Sequence, residues 1–205
     1  QGLATGMMLA GANYVATWVL QSEDAVTFLF VALIAPALVV TPLWGVVARR
    51  VGKERGFVAA SILFAVAALS MLGLLWAPGA WVYAPVAVAG AAYAGMQSLP
   101  MAMLPDVISH DARSNGDGRA GTFGGMWTAG ETTGMALGAT ALSLVLAVSG
   151  YVSRTAAASA GSVQPGSAVA GIVLSFSLIP AVVIALSLVP LARYRLRKGD
   201  IDGDV

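Results

Sequence analysis

The sequence predicts an all-α membrane protein of six transmembrane helices, and three observations predict it. Hydrophobic residues make up 58% of the chain and charged residues only 10%, against roughly 25% charged in a soluble domain. Uncharged apolar stretches recur at the length of about 20 residues that crosses ~30 Å of hydrocarbon. The few charges gather in the short segments between those stretches. An apolar excess of this size cannot be hidden in the core of a 205-residue soluble chain, and the mean hydropathy of +0.82 agrees.

The first span covers residues 2–20, the second 25–47 and the third 56–76, with no charge inside any of them. Residues 56–105 are uncharged throughout, so the breaker Pro78-Gly79 alone separates the third span from the fourth, 81–104. The fifth, 120–148, is interrupted only by Glu131. A Ser/Gly/Ala-rich loop leads to the sixth, 168–192, and residues 193–205 form a cytoplasmic tail. The first span is expected to remain in the membrane, since it lacks the basic leader and cleavage site of a signal peptide.

With no cysteine, neither a disulfide framework nor a thiolate metal site can form, and the single His110 is too few donors for a zinc site. No metal and no bound cofactor are expected. Orientation follows from the loops. Arg49, Arg50, Lys53 and Arg55, then Arg113 and Arg119, then Arg193, Arg195, Arg197 and Lys198 all fall on one face, leaving only Arg154 of the 11 basic residues on the other. That face is expected to be cytoplasmic, with both ends of this segment on it, in a plasma (inner) membrane. Because Gln1 is followed at once by the first span, the sequence is expected to be a fragment.

Many membrane transporters are built as six-helix halves, each of two inverted three-helix repeats, in which the first helix of each triplet lines the cavity. Span one carries Asn13, Tyr14, Thr17 and Trp18, and span four carries Tyr93 and Gln97, whereas spans three and six hold little polar besides Ser. The amides have a second reading as bonds between neighbouring helices, worth only about 0.6 to 2 kcal/mol. Glu131 is the most informative residue, because an unpaired carboxylate in mid-span costs several kcal/mol. Trp127 stands four residues before it on the same helical stripe, and Gly134 and Gly138 continue nearly the same line. Gly130, Gly134 and Gly138 are small-xxx-small steps, whose usual meaning is tight helix packing.

Three stretches carry a family resemblance. The loop Pro42-Leu-Trp-Gly-Val-Val-Ala-Arg-Arg-Val-Gly-Lys-Glu-Arg55 resembles the cytoplasmic loop motif of the major facilitator superfamily. The run Gly95-Met-Gln-Ser-Leu-Pro-Met-Ala-Met-Leu-Pro-Asp-Val-Ile-Ser-His-Asp111 is followed by Gly118-Arg-Ala-Gly-Thr-Phe-Gly-Gly-Met-Trp-Thr-Ala-Gly-Glu-Thr-Thr-Gly-Met-Ala-Leu-Gly138. Together they resemble the tenth and eleventh spans of the glycoside-pentoside-hexuronide:cation symporters, the family of the melibiose permeases. Ala12-Asn-Tyr-Val-Ala-Thr-Trp-Val-Leu20 resembles that family's seventh span. The resemblance implies the C-terminal six-helix half of a major facilitator fold, with the N-terminal half of the same transporter as its partner.

It further implies cation-coupled symport of a sugar or glycoside by alternating access. The residues expected to line the cavity are Asn13, Tyr14, Trp18, Gln97, Trp127, Glu131 and Thr132. Arg49, Arg50, Lys53, Arg55, Asp106, Asp111, Arg113 and Arg119 are expected to form the cytoplasmic gate, with His110 and Asp117 in the same charged turn. For the basic group between spans two and three, contact with lipid phosphates is the second reading. For the charged turn it is a solvated loop. The family's Lys after the glutamate is Thr132 here, so the intramembrane cation is missing and the choice between Na⁺ and H⁺ as coupling ion is open. Two other functions stand beside this one: transport of a lipid-like or amphipathic solute, and a non-transporting receptor or scaffold. No catalytic residue is assigned, because no Ser-His pair, metal constellation or phosphate-binding glycine loop is present. Expected partners are a small solute, membrane lipid and the other half, with no nucleic acid.

Overall fold

The computed structural model describes residues 1–22, 24–115, 119–153 and 164–191, and all regular structure among them is helical. The helices are α1 (Gly2–Tyr14), α2 (Ala25–Val51), α3 (Lys53–Ser70), α4 (Tyr83–Asn115), α5 (Ala120–Val148), α6 (Gly166–Phe176) and α7 (Leu178–Leu191). The last two form one broken span, so the architecture is that of six helices, consistent with half of a major facilitator fold.

Five of these segments are long and apolar enough to cross a membrane. The exception is α4, whose apolar run is diluted by Tyr93, Gln97, Ser98 and its prolines. It reaches Asn115, well past the expected end at 104, even though Pro100 and Pro105 lie within it. Each proline removes one backbone hydrogen bond and bends the helix, but flanking turns and packed neighbours carry it on. Asp106, His110, Asp111 and Arg113 are therefore helical residues and not members of a loop.

The basic loop between the second and third spans shrinks to one residue. Arg49 and Arg50 form the last turn of α2, and only Gly52 separates it from α3. Its φ of 96° is open to glycine at little cost, which is why the reversal can be this short.

Two irregularities interrupt the spans, one at the end of the first and one in the middle of the sixth. Residues Val15–Leu20 continue α1 as a π-helix that ends at Gln21 in the left-handed conformation. The sixth span breaks at Ser177, where Pro180 cannot donate to the preceding turn. Ser175 and Ser177 are buried there, and each hydroxyl donates to a carbonyl four residues back, Gly171 and Val173.

Three helix pairs carry most of the packing, α1 with α5, α2 with α4 and α3 with α4, and glycine sets the approach in the first two. A Cβ on Gly6 would collide with the Met135 backbone, and one on Gly90 with the Leu33 carbonyl. The two pairs thus repeat one arrangement, the first helix of each triplet lying against the middle helix of the other, as inverted repeats require. Trp44 fixes the second pair: its indole lies against Gly95 and donates to the Ala91 carbonyl at 2.7 Å. The core runs along α1, with Ala4, Met7, Val15 and Ala16 fully buried. Only 6% of the α2 span and 17% of the α5 span is buried, against 56% of the first, so these two helices present apolar faces outward.

Candidate functional site

A cavity of about 500 Å³ opens between α1, α3, α4, α5 and α7. Its polar lining is Gln1, Thr5, Tyr93, Gln97, Trp127, Glu131 and Ser187, and its apolar lining includes Phe57, Met96, Met126 and Pro190. That size and mixture suit a small polar solute with apolar faces.

Glu131 anchors the polar side. The Gln97 amide on α4 donates to its carboxylate at 2.8 Å and to the Tyr93 hydroxyl at 2.7 Å. Tyr93 and Gln97 lie one turn apart, so a single amide spans α4 and α5. Among the described residues no ion pair reaches Glu131; its partner is a neutral amide, which makes up in part for the missing cation. With both amide hydrogens engaged, Gln97 has only its oxygen left to offer a solute.

Trp127, one turn before Glu131, is the complement. Its indole Nε1 is inaccessible to solvent, and among the described residues no acceptor reaches it. An indole donates and cannot accept, so this is a donor without a partner at the wall of a polar cavity. The pocket therefore offers acceptors, on Glu131 and Gln97, one turn from an indole donor that a solute hydroxyl reaches only when the Trp127 ring turns.

The glycine stripe on α5 divides in function. A Cβ on Gly134 or Gly138 would press on the backbone of α1 near Leu3 and Met7, whereas one on Gly130 would meet nothing within 4 Å. Gly130 borders the cavity instead. Across the crossing, a Cβ on Gly2 would come within 2.9 Å of the Glu131 carbonyl, so glycine at that position lets α1 lie against the acidic turn. The Gln1 amide donates to Ser61 at 3.0 Å and to Ser187 at 3.3 Å, joining α1 to α3 and α7 at the cavity edge.

Of the residues expected to line the cavity, Gln97, Trp127 and Glu131 come together. Thr132 does not. It is exposed, and its hydroxyl donates back to the Thr128 carbonyl at 2.8 Å, because the residue after Glu131 is turned about 100° away on the helix. Asn13 is exposed, and Tyr14 and Trp18 lie at the opposite end of the first span. There Tyr14 meets Tyr151 edge to face at 5.4 Å, and the Trp18 indole donates to the Tyr151 hydroxyl at 3.2 Å. Thr5 and Ser187 line the cavity without a sequence signal, since single hydroxyls in apolar spans usually bond their own helix.

Among the described residues, two ion pairs stand at the end of the bundle where Phe57 and Pro190 line the cavity. Lys53 at the start of α3 bonds Asp106 of α4 at 2.6 Å and the Ala102 carbonyl at 2.9 Å. Arg119 ahead of α5 grips Asp111 of α4 with two bonds, of 2.6 and 3.1 Å. The hydrogen bond to Asp111, and then its charge, hold the Arg119 guanidinium above its ordinary range. Arg49, Arg50 and Arg55 are exposed. The side chains of His110 and Arg113, together with Asp117 and residues 192–205, lie outside what the structure describes.

A family model described as MFS/sugar transport protein matches residues 1–198. The chain belongs to this family. It is an integral membrane transport protein of the major facilitator superfamily. No curated protein matches the chain.

Proposed function

We propose that this transporter is a cation-coupled symporter of a sugar or glycoside, working by alternating access. The observation that carries the reading is the orphaned Trp127 donor one turn from the Glu131–Gln97 acceptors in a cavity of about 500 Å³. A sugar hydroxyl bonds the acceptors directly and meets the indole donor once the Trp127 ring turns toward it, and the Trp127 and Tyr93 rings offer flat apolar surface to a sugar face. Binding then gives the Trp127 donor the partner that no described residue supplies.

Proton coupling through Glu131 is the form of the mechanism that its neutral partner favours. Among the described residues Glu131 is held by the Gln97 amide and by no cation, and in this reading the coupling ion enters with the solute at that site. Glu131→Gln tests this: the variant should bind sugar but lose accumulation driven by a pH gradient. Kinetics unchanged across pH would remove the proposal.

The outward apolar faces of α2 and α5 support an N-terminal six-helix half seated against them, closing the cavity from the remaining side. The basic cluster at Arg49, Arg50, Lys53 and Arg55 supports a cytoplasmic location for that end of the bundle and insertion in the plasma (inner) membrane. A second reading, transport of a lipid-like amphipath, draws on a small apolar pocket that adjoins the polar cavity.

A further inference from the structure

Among the described residues, the side-chain hydrogens that line the polar cavity are almost all engaged within the protein. Thr5 donates to the Gly2 carbonyl at 3.1 Å and Ser187 to the Ile184 carbonyl at 2.7 Å, each inside its own helix. The Gln1 amide bonds Ser61 and Ser187, and the Gln97 amide bonds Glu131 and Tyr93. The Trp127 Nε1 hydrogen lies where solvent does not reach.

Tyr93 differs from all of these. Its hydroxyl accepts the Gln97 amide at 2.7 Å, and a phenol that accepts one bond still has its own hydrogen to give. No described residue takes that hydrogen. The residue is half-buried and lines the cavity beside Gln97 and Glu131. One amide nitrogen faces both neighbours, so Glu131 and Tyr93 each act toward Gln97 as acceptors. Toward a solute they part: a carboxylate only accepts, whereas the hydroxyl donates.

We propose that Tyr93 is a specificity-determining residue whose hydroxyl donates to an oxygen of the bound sugar, while Glu131 accepts from a neighbouring sugar hydroxyl. The inference rests on the sugar-transport reading and adds which bond the hydroxyl makes. Gln97 is the positioning residue, because its amide occupies the accepting side of the Tyr93 hydroxyl and leaves the donating side to the solute. The wall then asks for an acceptor at one point and a donor at the next, which adjacent sugar oxygens supply.

The test is calorimetric binding to the full-length protein in lipid nanodiscs. Glucose, galactose and xylose are compared first. The tightest binder is then replaced by its monodeoxy and monodeoxyfluoro derivatives, one ring position at a time. Fluorine on carbon accepts a weak hydrogen bond and donates none, and the deoxy carbon does neither. At the position facing Tyr93 the deoxy sugar should bind about 2- to 10-fold more weakly than the parent, the worth of one hydrogen bond, and the fluoro sugar should recover part of that loss. In Tyr93→Phe the parent should lose its advantage over both derivatives at that position. In Trp127→Phe the wild-type order should persist there, and this arm carries the assignment if Tyr93→Phe does not fold.

An order that survives in folded Tyr93→Phe, or that vanishes in Trp127→Phe, overturns the role of Tyr93 and leaves sugar transport standing. So does a series in which no position prefers fluorine to hydrogen. Binding of no sugar by the folded protein removes the sugar reading itself, and the role of Tyr93 with it.

Discussion

At the scale of single residues, the account turns on one acid, one amide and one indole. Glu131 and Gln97 are legible in the sequence because each is costly in an apolar span and needs either a partner or a solute, and Trp127 because it stands one helical turn before Glu131. The structure supplies Gln97 as partner to Glu131 and leaves Trp127 without one. Trp127→Phe should therefore keep the fold, as the indole nitrogen makes no internal bond. It should weaken sugar binding by about 2- to 10-fold, the worth of one hydrogen bond; paired melting and titration measurements check both halves. Asn13, Tyr14 and Trp18 are equally conspicuous in sequence yet sit elsewhere. Asn13 is eleven residues along α1 from Gly2, or ~16 Å at 1.5 Å per residue, and residue type alone cannot say at which depth a cavity lies. Thr132 fails for another reason, since adjacent residues on a helix point to different neighbours.

At the scale of elements, helix contacts explain which glycines matter. The sequence presents Gly130, Gly134 and Gly138 as equivalent steps, and only the partner helix separates them. Gly138→Ala puts a methyl into the backbone of α1 at Leu3 and Met7, and should cost about 1–3 kcal/mol in a melting experiment. Gly130→Ala meets open space, and should leave stability unchanged or slightly higher, given the better helix propensity of Ala. It should also narrow the cavity and lower solute affinity. Helix limits were less legible than helix existence. Charge marks where the membrane ends, but α4 runs on past Pro105 as a helix, so Asp106 and Asp111, expected in the cytoplasmic gate, project from a continuous rod. Lys53 ties that rod to α3. The pair is partly exposed, so Lys53→Ala should cost less than ~1 kcal/mol of stability. Its larger effect should fall on transport rate, read as maximal uptake velocity, because under the proposed alternating access the bond joins two helices at an end that opens.

At the scale of the whole molecule, fold class was readable from composition and span spacing, since lipid imposes helices on any chain this apolar. Orientation rests on charge asymmetry alone, and the absence of cysteine makes it simple to check. Arg50→Cys should react with a membrane-impermeant maleimide only after the cytoplasmic face is opened, and Ser153→Cys should react from outside in intact cells; the reverse pattern would invert the topology. What sequence could not convey is how the halves of the site meet. The cavity is assembled from five helices, and two of its walls, Thr5 and Tyr93, also border the apolar pocket.

The most direct test of sugar symport is uptake of labelled glycosides into proteoliposomes holding the full-length protein, with Na⁺ and H⁺ gradients imposed separately. Accumulation of a sugar driven by the H⁺ gradient, and lost in Glu131→Gln, is the result expected. Absence of accumulation under either gradient, with folded protein in the membrane, would contradict it.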